Sequence, residues 1–306
     1  MNLQVIQRTV IFLAALLLLF GGAATDLFSA YPTDPQSDLG WSSGTSGVVD
    51  IKSAFDTARQ HENSEIGISL PEITMPVQAI WDGFSDGEKA LWLINAERQD
   101  RGLLPLTGLE ENVEGVAQYY ADYLFDNDAW GHYEDDRSPW ERLAANPVIG
   151  ACHDFLNVAE NLAVFVSTGN NIPLPIERSV YMWMYDDGSC CGWGHRHAIL
   201  WSPYNDNSGV VGMEGFLGIG RVSGGPYRGP FNSSWNYAEI IVMNVFDPGS
   251  SWNDAFAYVA RDGVCSDHST CYPTIDDAYR DSLIFREILI RAEFYREDLI
   301  FDEAIN

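Results

Sequence analysis

Positive charge is scarce in this sequence, which has 17 lysines and arginines against 44 aspartates and glutamates and a formal net charge of −27. Binding to nucleic acid without sequence preference needs basic side chains that displace phosphate counterions. Attachment to anionic lipid by charge needs a basic cluster. The composition therefore predicts no nucleic-acid partner and no polybasic membrane contact. Hydrophobic residues make up 46% of the chain, which predicts a packed globular protein rather than a disordered one.

Apolar runs long enough to span a membrane are also lacking. Residues 10–20 are almost entirely apolar, but a transmembrane helix needs about 20 such residues. Arg8 precedes this run and the small residues 21–24 follow it, which is the pattern of a secretory signal peptide. We therefore predict a signal peptide at residues 1–24 and a secreted protein. An uncleaved signal anchor is the alternative, and it would be the protein's only contact with a membrane.

Cysteine is sparse, with five residues in the whole chain. Export would place them in an oxidising compartment, where disulfides form. Cys265 and Cys271 enclose a short polar loop, which predicts a local disulfide. Of the remaining three, Cys152 is expected to pair with either Cys190 or Cys191, which leaves one free thiol.

The two ends of the chain differ in composition from its middle. Residues 25–50 are rich in Ser, Gly, Pro, Asp and Thr, which is typical of a flexible linker. Residues 51–84 show no clear period, so 25–84 is predicted to be a linker and irregular lead-in. Residues 273–306 have an acidic, amphipathic helical pattern, which predicts a helical tail within 249–306. This tail either packs on its own domain or binds a partner.

The middle of the chain begins with helices and ends with strands. Ser85 and Glu88 form a capping box at the start of a helical pattern that ends at Gly102. Further helical patterns lie at 109–125, after Pro139 and at 176–185, and strand patterns lie at 210–220 and 237–246. Helices followed by strands predict an α+β domain in which helices cover an antiparallel sheet.

Five segments occur in a characteristic order. They are Leu93-Ile94-Asn95-Ala96-Glu97-Arg98, Gly131-His132 with Asp136-Arg137-Ser138-Pro139-Trp140, Ala159-Glu160-Asn161-Leu162-Ala163, Trp183 with Gly192-Trp193-Gly194-His195-Arg196-His197, and the strand 237–246. In this order they resemble the bacterial branch of the CAP superfamily (cysteine-rich secretory protein, antigen 5, pathogenesis-related 1; SCP domain). The resemblance covers residues 85–248, and implies a three-layer α-β-α sandwich with a surface cleft.

The resemblance also implies a set of cleft residues. The family lines its cleft with two histidines and two acidic residues, and His132, Glu160 and His195 match three of these positions. The fourth falls on Asp186, three residues after Trp183, where Asp is one methylene shorter than the usual Glu.

Two imidazoles and two carboxylates in one cleft can do two things. They can bind a divalent cation such as Zn²⁺, with His132 and His195 as metal ligands. They can also form a hydrogen-bonded cluster in which carboxylates orient imidazoles. There are two structural alternatives. His132 could be an ordinary surface histidine, and Glu160 could be a carboxylate at the start of a helix, where it interacts favourably with the helix dipole.

Two other motifs compete for a catalytic role. The pattern Gly-x-Ser-x-Gly at residues 40–44 lies in the predicted linker, without the strand and helix that a nucleophile elbow requires. Cys190 and Cys191 lie close to His195 in sequence and could form a Cys–His nucleophile, but in an exported protein a disulfide or a strained vicinal pair is favoured.

These features support three hypotheses on function. The first is a secreted, non-enzymatic protein whose cleft binds a small ligand, a lipid or a divalent cation. The second is a metal-dependent hydrolase or peptidase in which Glu160 is the general base. The third is an extracellular interaction protein that acts through residues 273–306.

Overall fold

The computed structural model describes residues 31–151, 157–205 and 215–248, and the backbone of three short strands at 256–259, 271–272 and 287–290. The helices are α1 Val48–Ile66, α2 Gln78–Trp81, α3 Asp86–Gln99, α4 Glu111–Asp126, α5 Pro139–Ala145, α6 Pro175–Tyr185, α7 Gly188–Cys191 and α8 Gly194–Leu200, with 3₁₀ turns at Ile149–Ala151 and Ser202–Asn205. The strands are β1 Gly108–Leu109, β2 Asn157–Ser167, β3 Phe216–Gly224, β4 Tyr237–Asp247, β5 Phe256–Val259, β6 Cys271–Tyr272 and β7 Glu287–Ile290.

The main sheet has four strands in the order β1-β3-β4-β2. Strand β4 is antiparallel to both of its neighbours, and it pairs with β2 along the full length of both strands. The two-residue strand β1 is parallel to β3. Strand β2 is therefore an edge strand, and one of its sides is not covered by another strand of this sheet.

Helices cover both faces of this sheet, as the sequence predicted. On one face, α4 packs its buried residues against β2 and β4; this cluster includes Tyr120, Leu124, Leu162 and Val242. On the other face, α1, α3, α6 and α8 share a second core with residues of β2, β3 and β4. The α+β class and the three-layer α-β-α arrangement are thus confirmed.

Helix α4 lies directly on β3 because two glycines leave room for it. A Cβ atom at Gly220 would lie 2.2 Å from the backbone carbonyl carbon of Ala117, and one at Gly218 would lie 2.3 Å from the backbone nitrogen of Glu114. Any side chain at these two positions would push the helix away from the sheet.

The lead-in is not irregular, and this corrects the sequence prediction for 51–84. Helix α1 buries Ile51 and Phe55 in the core, and its buried face also carries Arg59 and Glu62. Charged residues on the buried face hide the apolar period from a sequence reading. They are stable there because each is paired, Arg59 with Glu97 on α3 and Glu62 with arginines further along the chain.

Residues 31–47 have no regular secondary structure, but they are not a free linker. The N–H of Leu39 donates to the carbonyl of Tyr185 at 2.7 Å. The Trp41 ring packs edge-on against Tyr181, with 5.1 Å between the centroids. The segment therefore lies against α6 and contributes to the core, and the predicted flexible linker is wrong for this stretch.

The end of the chain differs from the predicted helical tail where it is described. Strands β5, β6 and β7 form a small parallel sheet in the order β6-β5-β7. Strand β7 lies within 273–306, so the helix prediction is wrong at its residues, and the rest of that segment lies outside the described residues. The predicted signal peptide at 1–24 also lies outside them. None of the helices in the described part of the chain is both long enough and apolar enough to cross a membrane.

Candidate functional site

The first pair at the candidate site joins His132 to Glu160. Nδ1 of His132 lies 2.9 Å from Oε1 of Glu160. The Glu160 side chain is fully buried, whereas the His132 ring is 37% exposed, so the imidazole lies between a buried carboxylate and solvent. Glu160 lies in strand β2, so the alternative of a helix-start carboxylate is wrong.

Glu160 is buried as part of an ion pair with Arg142 from α5. One guanidinium nitrogen of Arg142, Nη2, lies 2.8 Å from Oε1 and 2.7 Å from Oε2 of Glu160. The same nitrogen donates to the carbonyl of His132 at 3.0 Å, while Nη1 donates to Asp135 at 2.7 Å. The guanidinium also stacks on the ring of Tyr120, 3.4 Å from its centroid. Arg142 therefore holds both the carboxylate and the loop that carries His132.

Tyr120 on α4 fixes that loop from the other side. Its hydroxyl donates to the carbonyl of Gly131 and accepts the N–H of Glu134 at 3.2 Å. Burial raises the pKa of Tyr120 to about 12, so the phenol stays protonated at neutral pH and keeps its role as a donor. The residues on both sides of His132 are thus anchored to the helix layer.

The second pair joins His195 to Asp187. Nδ1 of His195 lies 2.6 Å from Oδ1 of Asp187, and the Asp187 side chain is almost completely buried. The other carboxylate oxygen accepts the N–H groups of His195 at 2.9 Å and Arg196 at 3.2 Å. These N–H groups lie in the first turn of α8, where they have no partner within the helix. Asp187 therefore orients the ring of His195 and caps the helix that carries it.

Asp186 does not occupy the position that the sequence analysis assigned to it. Its side chain is exposed, and its neighbour Asp187 is the carboxylate that contacts His195. Partial burial of its carboxyl group, followed by the negative charges of Asp38 and Asp187, raises the pKa of Asp186. Both aspartates follow the last residue of α6, and the turn of the chain at that point directs Asp187, not Asp186, toward α8.

Neighbouring residues of β2 connect the two pairs. Consecutive side chains of a strand point to opposite faces. Glu160 lies on the same face as Leu162, against α4, whereas Asn161 lies on the same face as Ala163, against the other helix layer. Nδ2 of Asn161 donates to the carbonyl of His195 at 2.9 Å. The structure therefore forms two His–carboxylate pairs, His132 with Glu160 and His195 with Asp187, one on each side of the edge strand β2, and Asp186 belongs to neither.

Two cysteines adjoin the second pair. Asp187, Cys190, Cys191 and His195 each offer one ligand atom, and these four atoms lie within 4.8 Å of one another. In the described part of the chain this is the one group of three or more such residues within range of a single ion, and it does not include His132 or Glu160.

The sulfur atoms of Cys190 and Cys191 lie at bonding distance from each other. This arrangement differs from the predicted bridge between Cys152 and one of the pair. Cys152 lies outside the described residues, and so does Cys265 of the other predicted bridge, whose partner Cys271 is described by its backbone alone.

The N-terminal segment holds the cysteine-bearing loop. Oδ1 of Asp38 accepts the N–H of Gly188 at 2.6 Å, and Oδ2 accepts the N–H of Ser189 at 2.8 Å, at the start of α7. Burial opposes ionisation of Asp38, but the hydrogen bonds from Ser189 and Gly188 outweigh it and lower the pKa of this carboxyl. This contact spans about half the chain, and no local pattern in the sequence points to it.

The sequence reading missed Arg142, Asp187 and the cysteine pair as parts of the site. Arg142 lies within the segment that carries the resemblance, but nothing in its local pattern shows that it is buried. Asp187 could have been considered because two aspartates stand side by side where one carboxylate was expected. The cysteines were noted for their closeness to His195, and the sequence left open a bridge to Cys152 or a strained vicinal pair.

Comparison with known proteins supports the family resemblance. Residues 91–207 match the family model described as CAP: Cysteine-rich secretory protein family. The matched stretch contains both His–carboxylate pairs and the two cysteines, so the resemblance stated from the motifs is confirmed over these residues. No curated protein matches the sequence.

Two solved structures show a weaker likeness. An outer surface protein from Borrelia burgdorferi is 19% identical, over 53% of this chain and 92% of that chain, with a TM-score of 0.34. An extracellular protein containing a SCP domain, from Bacillus anthracis str. Ames, is 16% identical, over 57% of this chain and 45% of that chain, with a TM-score of 0.35. The match thus spans less than half the length of the Bacillus protein. Sequence identity and structural similarity at this level do not support a conclusion about function.

Proposed function

Because residues 91–207 match the CAP family, we propose that this chain is an extracellular binding protein rather than an enzyme. Its ligand is held at the outer edge of β2 by the imidazoles of His132 and His195. Of the ligands that the motifs admit, a divalent cation such as Zn²⁺ fits these side chains best, ahead of a small organic molecule or a lipid. Neutral imidazole is a preferred ligand of Zn²⁺.

One feature carries this proposal: both histidines bind a buried carboxylate through the same ring nitrogen. Nδ1 of His132 is directed to Glu160, and Nδ1 of His195 is directed to Asp187. In metal sites a histidine ligand commonly donates its second ring N–H to a carboxylate, which sets its tautomer and orientation. The arrangement leaves Nε2 of each ring outside these pairs, as the nitrogen available to a cation or a polar ligand.

The surroundings of Glu160 favour binding over hydrolysis. A general base needs a carboxylate oxygen within hydrogen-bond reach of a reacting water. Both oxygens of Glu160 are engaged by Arg142, one of them also by His132, and the side chain is fully buried. The metal-dependent hydrolase, with Glu160 as general base, is therefore the weaker candidate.

The extracellular location in this proposal depends on the N-terminal sequence pattern. Residues 1–24 have the order of basic, apolar and small residues that a secretory signal shows. The strongly acidic composition is compatible with an exported protein that binds cations.

Calorimetric titration of the full-length chain with Zn²⁺ tests the proposal. The protein is kept oxidised, so that the cysteines stay paired. We expect binding by the parent protein and a loss of about tenfold or more in affinity in H132A and in H195A. His61 on α1 is partly exposed and lies outside both pairs, so H61A serves as the matched control and should bind like the parent.

Three results would contradict the proposal. If the parent protein produced no heat with Zn²⁺, the cation would be excluded as the ligand, and a small organic molecule or a lipid would remain as candidates. If H132A and H195A each bound Zn²⁺ with the affinity of the parent, the two histidines would not share a ligand. Peptide hydrolysis that disappears in E160Q would favour the hydrolase.

A further inference from the structure

We propose a second cation site, distinct from the pair around His132, formed by Asp187, Cys190, Cys191 and His195. With both cysteines reduced, the site binds a thiophilic divalent cation of the Zn²⁺ class. When the two sulfurs join in a disulfide, the cation is released. This inference does not need His132 or Glu160; it shares only His195 and Asp187 with the binding function proposed above.

The four ligand atoms already have the spacing that one ion needs. A tetrahedral Zn²⁺ with bonds of about 2.0–2.3 Å places its ligand atoms roughly 3.3–3.8 Å apart. The four atoms here all lie within 4.8 Å of one another, and the sulfur of Cys190 lies 3.7 Å from Oδ1 of Asp187. Opening the sulfur pair and small side-chain rotations are enough to surround an ion.

The backbone around these residues is held in place before any ion binds. The carbonyl of Asp187 accepts the N–H of Cys191 at 3.1 Å and the N–H of Trp193 at 3.3 Å, which closes the loop into a tight turn. The Asp187 carboxylate holds the first turn of α8, where His195 lies. Asp38 holds the start of α7, which carries both cysteines. A fixed loop loses little conformational entropy on binding.

The donor set indicates which cations the site would prefer. Two thiolates, one imidazole nitrogen and one carboxylate oxygen form the mixed sulfur, nitrogen and oxygen set that suits Zn²⁺, whereas Mg²⁺ and Ca²⁺ require oxygen donors. The thiolates and the carboxylate together carry three negative charges, and no lysine or arginine lies between Asp186 and His195. A divalent cation would therefore neutralise most of the local charge.

The disulfide and the cation exclude each other, because both use the same sulfur electrons. In the release step, the thiolates of Cys190 and Cys191 give up one electron each as their S–S bond forms. A low-molecular-weight disulfide such as oxidised glutathione accepts the two electrons, its S–S bond breaks, and its two thiolates take up protons from water. The divalent cation leaves with its charge unchanged. Metal occupancy at this site therefore follows the redox state of the surroundings.

Titration of the fully reduced full-length chain with Co²⁺ under anaerobic conditions tests the inference. Co²⁺ substitutes for Zn²⁺ and reports on its ligands, because thiolate ligands add a charge-transfer band and a tetrahedral site gives intense visible bands. We expect one Co²⁺ per chain with both features, displaced by Zn²⁺. Oxidation by glutathione disulfide should abolish the charge-transfer band, and reduction should restore it.

Matched variants identify the ligands. C190S/C191S should lose the charge-transfer band and bind about tenfold or more weakly, and H195A should also weaken binding. C152S, C265S/C271S and H61A should keep the spectrum of the parent. The thermal midpoint of C190S/C191S, monitored by circular dichroism, should stay near that of the parent because both cysteines are exposed.

The inference is overturned if the oxidised protein gives the same Co²⁺ spectrum as the reduced one, or if C190S/C191S keeps the charge-transfer band. Failure of the binding function proposed above has a different signature. It would appear as an absence of Zn²⁺ binding in the oxidised protein, with the reduced protein still responding to Co²⁺.

Discussion

The guanidinium of Arg142 contacts both carboxylate oxygens of Glu160, and both side chains are withdrawn from solvent. Glu160 would be a buried negative charge without this partner. The pair therefore explains how a carboxylate can lie inside the domain, next to an accessible imidazole.

Breaking this pair should be costly. We expect R142M to lower the free energy of unfolding by about 3–5 kcal/mol, because the buried Glu160 carboxylate loses its guanidinium partner. Urea unfolding followed by tryptophan fluorescence measures the difference. Arg137 provides the control: it pairs with Asp135 and is 37% exposed, so R137A should cost no more than about 1 kcal/mol.

A second variant separates loss of the pair from loss of packing. The double variant R142M/E160L replaces both charges with apolar groups, and it should recover part of the stability that R142M loses. A double variant less stable than R142M would show that the buried charge of Glu160 is not the source of the cost.

The stability of the protein should fall in acid because of Glu97. Burial disfavours its charged form, but the charges of Arg59 and Arg101 outweigh burial and lower the pKa of Glu97 below its ordinary value of 4.5. A carboxyl group with a lowered pKa in the folded state stabilises the protein fully above its ordinary pKa. That contribution is lost as the pH falls through the lowered value.

Urea unfolding between pH 7 and pH 3 measures this effect. We expect E97Q to be less stable than the parent at pH 7, and the difference to shrink below about pH 4.5 as Glu97 of the parent becomes protonated. Glu72, an exposed residue paired with Lys52, is the control, and E72Q should leave the profile nearly unchanged. A constant difference between E97Q and the parent across this range would contradict the assignment.

Two glycines of the α4 layer should respond to alanine in opposite directions. A Cβ atom at Gly220 would lie 2.2 Å from the backbone of Ala117, so G220A should destabilise the protein by about 2–3 kcal/mol through overpacking. Gly115 lies within α4, is exposed and has open space around its Cα atom. There G115A should stabilise the helix by about 0.5–1 kcal/mol.

Thermal or urea unfolding of both variants checks this prediction. Equal effects at the two positions would show that α4 does not lie as close to β3 as the structure places it. The comparison tests the packing of the helix layer that also positions Tyr120 and the loop of His132.

Local sequence signals predicted several regular elements of the domain. The capping box of Ser85 and Glu88 opens α3, Pro139 begins α5, and the apolar run at 237–246 is strand β4. Of the motif residues, His132 pairs with Glu160 and His195 pairs with Asp187, and their role in ligand binding stays a prediction. These signals succeed because caps, turns and periodicity involve residues only a few positions apart.

Contacts between distant residues could not be predicted in the same way. Nothing in the local pattern of α1 shows that Arg59 and Glu62 are buried, because their partners lie on α3 and α8. Whether Asp186 or Asp187 meets His195 depends on how the chain turns after α6. The position of Cys190 next to Cys191 depends on the same loop and on its anchor, Asp38.

The sequence by itself thus determined helices α3 to α6 and strand β4, and it singled out His132 and His195 as candidate site residues. Only the tertiary structure decided which carboxylate orients each histidine, and that Arg142 neutralises Glu160. The physical reason is that helix and strand formation depends on short-range hydrogen bonds and patterning, whereas the pairing of buried charges depends on the path of the whole chain.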